Sequence, residues 1–362
     1  MKEKQDKALD LKQVVRTLHS RNYRLFFSGQ GLSLIGTWMQ QVAVSWLVYR
    51  LTDSTFILGL TGFAGQFPVF LLAPFTGVLA DRWNKHRMLI IIQSLSMLQA
   101  AILAFLVLTH TIQVWSIVCL SIMLGLVNAF DTPVRQSFII DIIDRREDLG
   151  NAIALNSAMF NGARLIGPAL AGILIAGVGE GFCFLINAFS FLAVLFALTA
   201  MKIKPHRKKT ADRDILHELK EGFRYAFNFL PIRYILLFLW LISLMSMSYT
   251  ILMPAFARDI LHGGPHTLGF LMSAAGIGAL SGAIFLASKK TVAGLPRIIP
   301  LSAFILGIGL CLLSQSRSLP LSMLLMLFTV FGIIVQMASS NTLLQTLVDD
   351  DKRGRVMSFY AM

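Results

Sequence analysis

The stretch GVLADRWNKHR, Gly77 to Arg87, sets an Asp, two Arg, a Lys and a His between two long apolar runs. On a soluble protein such a cluster is any surface loop. Here the flanking runs, 55–80 and 88–109, are each long enough to cross about 30 Å of hydrocarbon, so the cluster reads as a turn at a membrane face. Working outward, runs of the same kind fall at 25–49, 114–134, 152–176, 181–201, 232–257, 267–288, 296–315 and 319–343, ten in all. The chain of 362 residues is 56% hydrophobic and 14% charged, with 27 Phe and 27 Gly and a mean hydropathy of +0.69. Soluble domains sit near roughly 45–50% apolar and about 25% charged. Hydrocarbon offers the backbone no hydrogen-bond partners and the runs lack barrel alternation, so the expected fold class is an all-α membrane protein.

The net charge of +13 first suggests nucleic acid. Its distribution excludes that reading. The N-terminal tail holds seven Lys and Arg; the connections after spans two, four, six and eight hold three, three, nine and three; the segment after span ten holds three. The opposite connections hold only Arg50, Arg258 and Arg317, and Arg164 stands inside span five. Such asymmetry predicts a cytoplasmic N-terminus in a bacterial inner membrane, with the basic face on anionic lipid. Residues 1–24 form a polar basic tail without the apolar stretch of a signal peptide. Cys119, Cys183 and Cys311 lack metal spacing and read as packing residues. No metal and no cofactor are expected.

Domain organisation follows from the longest polar stretch. Residues 25–201 form a six-span bundle, 202–231 a central cytoplasmic loop with an amphipathic helix over Asp214–Phe229, and 232–362 a bundle with four spans and the start of an eleventh. VNAFDTPVRQSFIIDIIDRREDLGNAIALNS after span four is weakly similar to VQMASSNTLLQTLVDDDKRGRVMSFYAM after span ten, about 208 residues on, which predicts a parallel repeat of two six-helix bundles related by a pseudo-two-fold, the second truncated. The expectation is that the native gene continues beyond Met362.

GVLADRWNKHR resembles the loop signature Gly-x-x-x-Asp-Arg-x-Gly-Arg-Arg of the major facilitator superfamily: Gly77, Asp81, Arg82 and Arg87 match, Lys85 keeps the charge, and Asn84 stands where Gly is usual. FDTPVRQSFIIDIIDRREDLGNAIALNSAMFNGARLIGPALAG, Phe130 to Gly172, resembles the bacterial branch that includes the enterobactin exporter and related drug efflux proteins. The resemblance implies that Gly77, Asp81, Arg82, Lys85 and Arg87 are a conformational hinge between halves that rock, with Asp81 meeting a helix N-terminus or a base across the interface and Asn84 taking a left-handed turn. Gly162, Gly167, Pro168 and Gly172 resemble, imperfectly, a Gly- and Pro-bearing signature of span five in exporters.

Arg164, near mid-depth, needs a partner or a wet cavity. Either it binds an anionic or carbonyl-rich substrate, or it tunes a carboxylate, or it makes a structural ion pair. Gln30, Ser33, Thr37 and Gln41 recur at helical steps along span one beside Trp38, and are cavity-lining candidates. Asp131 and Arg135 of span four join them, Asp131 either as a proton carrier or paired with Arg135 or Arg164. No P-loop, His-Glu-x-x-His or Gly-x-Ser-x-Gly pattern occurs, which argues against ATP use and against an enzyme. The function expected is secondary active transport by alternating access: proton-driven export of an amphipathic drug or a siderophore-like small molecule, with import of a nutrient or metabolite as the alternative. The partners expected are a small-molecule substrate, the proton gradient and anionic lipids, with no nucleic acid, for a protein acting as a monomer.

The orientation is open to a direct check. With the native cysteines replaced, Thr210→Cys in the central loop is expected to resist a membrane-impermeant maleimide in intact cells and to react at once after lysis, whereas Arg317→Cys reacts in both.

Overall fold

The computed structural model describes residues 17–143, 145, 148–201, 224, 227–289, 294–348 and 356, with the backbone alone for residues 74, 77–82 and 247. Ten long helices follow one another: α1 Arg21–Thr52, α2 Thr55–Arg82, α3 Lys85–Leu108, α4 Val114–Ile142, α5 Leu149–Val178, α6 Glu180–Ala200, α7 Leu230–Ala255, α8 Pro265–Ala287, α9 Leu295–Gln315 and α10 Leu319–Leu347. A π-helical turn, Phe256–Ile260, extends α7. The helices match the expected runs but outreach several of them: α4 continues to Ile142 and α10 to Leu347, past the apolar stretches. The amphipathic helix expected over Asp214–Phe229 falls almost wholly outside the described residues.

Among the described residues nine helices, α2 to α10, are long and apolar enough to cross a membrane. The helix α1 has the length, at 32 residues, but its amides lower its hydropathy. The most deeply networked of these amides, Gln40, finds partners in the protein. The Gln40 amide Nε2 donates to Gln99 Oε1 of α3 at 2.8 Å, and Asn187 Nδ2 of α6 donates to Gln40 Oε1 at 2.8 Å. Gln99 Nε2 donates to the Leu120 carbonyl of α4 at 3.4 Å, and Ser190 Oγ to Asn187 Oδ1 at 3.1 Å. Gln40, Gln99 and Asn187 are buried. Four helices are thus sewn together at depth, where an unmade hydrogen bond is costly. At the edge of the same bundle Arg50 at the end of α1 grips Glu180 at the start of α6 with two hydrogen bonds, 2.8 and 3.2 Å.

In the first six helices α2 packs on α4, α3 on α4 and α6, and α1 on α5 and α6. The last four repeat part of this plan: α8 packs on α10 as α2 does on α4, and α9 on α10 as α3 does on α4. Small residues set the repeated crossings, Gly125 lying against Gly65 in the first and Gly278 against Leu327 in the second. The basic-end turns of α7, from Ile232 to Leu239, share a cluster with Leu344, Val348 and Val356. Tyr234, Trp240 and Met245 are exposed along α7. One apolar core runs through both halves, from Leu47 and Phe184 to Leu271 and Val330.

Gln40→Leu leaves Gln99 and Asn187 each short of a partner in a dry interior. It is expected to cost about 1–3 kcal/mol, read as a lower unfolding midpoint in detergent, with Ser190→Ala at the end of the chain costing less.

Candidate functional site

Call the end carrying the turns after α2, α4, α6 and α8 the basic end, and the other the far end. The halves meet along α5 and α8. A Cβ on Gly172 would stand 3.0 Å from the Gly269 Cα, one on Gly269 would stand 2.8 Å from the Pro168 carbonyl, and one on Gly276 would stand 2.7 Å from the Leu165 Cα. Ser273 Oγ donates across the same seam to the Leu165 carbonyl at 3.2 Å. These contacts occupy the far-end half of α5 and the far-end half of α8. Contact is therefore backbone to backbone at the far end.

The same helix α5 turns a second face to α1. A Cβ on Gly167 would stand 2.6 Å from the Trp38 Cβ and 2.8 Å from the Ile35 carbonyl, so Gly167 lets α1 dock and fixes where Trp38 lies. The Trp38 ring meets Phe160 edge-on at 5.6 Å, and the Arg164 guanidinium lies 5.5 Å from its centroid. Residues 160, 163 and 167 form the α1 face of α5, and 165, 168 and 172 the α8 face. Arg164 stands on the strip between them, at the angle where the two halves come together. It is half-buried. Tyr249 of α7 lies close enough to interact with it electrostatically. Pro168 inside α5 has no N–H for the Arg164 carbonyl, as expected of a Pro four residues on.

The structure divides the glycines that the sequence grouped. Gly167, Pro168 and Gly172 pack, on two different helices, whereas a Cβ on Gly162 would meet nothing within 4 Å. Gly162 lies on the side of α5 away from both neighbours, so it belongs to no packing motif. The stripe on α1 is divided too. Gln41 is exposed and Thr37 half-buried, but Gln30 and Ser33 are only 3% and 1% exposed and line no open space. The cause is the docking of α6 and α4 against the basic-end part of α1, seen in Gly29 against Ala193 and Phe26 against Phe138. Asp131 pairs with Arg135, 3.0 Å, and accepts from Gln93 Nε2 at 3.2 Å. It is not the partner of Arg164. Among the described residues Arg164 makes no ion pair.

Of the hinge residues, Gly77, Asp81 and Arg82 end α2, and their side chains lie outside the described set. Lys85 is buried, its Nζ 3.0 Å from Asp141 and donating to the Ser137 carbonyl at 3.3 Å, which ties the start of α3 to the last turn of α4. Arg87 is exposed. Asn84 does not take the expected left-handed turn. It has φ −71° and its Oδ1 accepts from the Arg87 N–H at 3.1 Å, capping α3. An N-cap needs a short acceptor side chain rather than a positive φ, and Asn supplies it.

Residues 15–362 match the family described as transmembrane secretion effector. The chain belongs to that family, within the major facilitator superfamily. This transporter is 29% identical over 346 residues to the staphyloferrin A transporter of Staphylococcus aureus, covering 94% of the chain and 85% of the relative. It is 24% identical to the multidrug efflux pump Tap of Mycolicibacterium fortuitum, covering 87% of the chain and 79% of the relative. Among solved structures it shares the fold of a bacterial homologue of the iron transporter ferroportin in an inward-facing state, at a TM-score of 0.67 and 16% identity, over 94% of this chain and 87% of that one. It shares it equally with a D-xylose-proton symporter, at 0.68 and 15%, over 95% and 85%. The protein is a multi-pass membrane transporter, and its fold leaves the direction of transport open.

One group in this transporter escaped the sequence reading, which counted Arg258 only among the few basic residues of the opposite connections and gave Asp259 no role. The π-helical turn after α7 carries both across to the end of α1. The Tyr49 hydroxyl donates to Asp259, Arg258 pairs with Asp53, and the Arg258 guanidinium lies 5.7 Å from the Tyr49 ring centroid. The far end is thus latched by polar contacts between the halves. Opposite charges at 53 and at 258–259 were the only signal available.

Two outcomes follow for this site. Gly172→Leu is expected to force α5 and α8 apart, at about 1–3 kcal/mol of stability and with loss of transport, while Gly162→Ala leaves both unchanged. Asp53→Asn with Asp259→Asn loosens the latch, since exposed pairs are each worth about 0.2–1 kcal/mol, and is expected to speed maleimide labelling of Ser273→Cys from the far side about threefold.

Proposed function

We propose that this transporter is a proton-driven exporter of an amphipathic, siderophore-like or drug-like small molecule, with its basic end in the cytoplasm and the two halves rocking about the seam between α5 and α8. The observation that carries the reading is that, among the described residues, the halves touch and latch at the far end, which would leave the other end as the way in for a cytoplasmic substrate. The 28 basic residues at one end support the orientation. A siderophore transporter and a multidrug efflux pump among the relatives support the substrate range. The domain division into residues 25–201 and 232–362, with the hinge charges from Asp81 to Arg87 moving between them, belongs to the same reading. So do action as a monomer, contact with anionic lipid and independence of any cofactor.

Asp131 is our candidate for the proton. It is a carboxylate at depth in the first half, held by Arg135 and Gln93. A proton on Asp131 removes the charge that Arg135 pairs with, and frees that side chain to move. Alternating access then needs one such change per cycle.

The test uses a bacterial host lacking its own efflux pumps. Expression of the gene is expected to lower accumulation of staphyloferrin A or of fluorescein, a protonophore to restore it, and Asp131→Asn to abolish the effect with the protein still in the membrane. Higher accumulation in expressing cells would make this chain an importer. Lower accumulation that ignores the protonophore would remove the proton from the mechanism.

A further inference from the structure

Arg164 is a permanent cation at mid-depth with no anion of its own. The described carboxylates that might neutralise it are committed elsewhere: Asp131 to Arg135, Asp141 to Lys85, Glu180 to Arg50, Asp53 to Arg258, and Asp259 to Tyr49. A cation in this position is rare unless it meets a partner or a watery cavity. An Arg kept for structure would have been given an acid on α1 or α8, and neither helix supplies one.

The guanidinium is also held in place. Trp38 lies between Phe160 and Arg164, which are one turn apart on α5, and Gly167 brings the Trp38 backbone close enough for that stacking. The guanidinium lies over the Trp38 ring, and among the described residues its N–H groups make no hydrogen bond, so they are available to a carboxylate, which a guanidinium can hold with two parallel hydrogen bonds. The position is shared by both halves. Trp38 and Arg164 come from the first, Tyr249 from the second, and the α5–α8 seam begins at the very next residue, Leu165. A molecule bound here touches the two parts that must rock.

We propose that Arg164, set on Trp38, is the recognition site for a carboxylate on the transported molecule, so that the substrates are organic acids with an apolar or aromatic part rather than cationic drugs. This rests on the transporter reading above but narrows its substrate class, and it does not depend on direction or on proton coupling. The carboxylate takes the guanidinium edge. The apolar part lies along Trp38 and Phe160. Arg164→Lys keeps the charge but loses the fork, so affinity falls less than with Arg164→Gln.

The test is equilibrium binding to purified protein in detergent, by fluorescence anisotropy, with two dyes that share a xanthene ring system and differ in charge: fluorescein, an anionic carboxylate, and rhodamine 123, its cationic ester analogue. Citrate and salicylate serve as unlabelled competitors. The expected result is that wild-type protein binds fluorescein, that citrate or salicylate displaces it, and that Arg164→Gln weakens it at least tenfold, with Arg164→Lys between. Rhodamine 123 binds weakly to wild type and no worse to Arg164→Gln. Unfolding midpoints of the variants within a few degrees of wild type show that the site, not the fold, has changed. The proposal is overturned if no anion of this set loses affinity in Arg164→Gln, including the case in which none binds, or if rhodamine 123 is the better ligand and depends on Arg164. Failure of export or of protonophore sensitivity in cells, with fluorescein binding and its Arg164 dependence intact, would count against the exporter reading alone.

Discussion

The close approach of α5 and α8 is the contact on which everything else depends. Between helices in lipid there is no hydrophobic force to draw apolar faces together, because the tails are as apolar as leucine. What remains is dispersion at short range and polar pairing. Gly172, Gly269 and Gly276 permit the first by removing side chains from the seam, and Ser273 adds the second. With the seam in place, Tyr49 reaches Asp259, and the strip of α5 that carries Arg164 lies between Trp38 of the first half and Tyr249 of the second.

The two halves solve the problem of burying polar groups differently. In the first, the amides of Gln40, Gln99 and Asn187 bond from helix to helix. In the second, the buried polar groups are mostly hydroxyls that bond back to their own helix: Ser302 to the Ile298 carbonyl, Thr329 to Leu325, Ser281 to Gly278. A hydroxyl satisfied within its own turn asks nothing of its neighbour. An amide satisfied across helices holds the neighbour in register.

Features that are local in the chain were legible in the sequence. Apolar length marked the spans, and the clustering of Lys and Arg marked one end. GVLADRWNKHR and the passage from Phe130 to Gly172 pointed to the superfamily. Features that depend on which helices touch were not legible. Gln30 and Gln41 look alike along span one, yet one is covered by packing and the other is open. The partners of Gln40 lie 59 and 147 residues away, with nothing near Gln99 or Asn187 to announce them. Gly162 and Gly167 look equivalent until α1 is set against only one of them. Asn84 stood in a glycine's place for a different reason, as an acceptor for the first turn of α3.

The position of the seam also has a mechanical meaning. Its contacts run from the far end of α8 to Gly276, so the remainder of that helix, Gly276 to Ala287, extends about 16 Å beyond the fulcrum at a rise of about 1.5 Å per residue. An angular change too slight to disturb the glycine contacts is multiplied along that arm into a wide displacement at its tip. In the rocking proposed above such a geometry trades force for travel: small adjustments at the pivot would open a broad mouth, and a modest pull at the mouth would bear on the pivot with leverage.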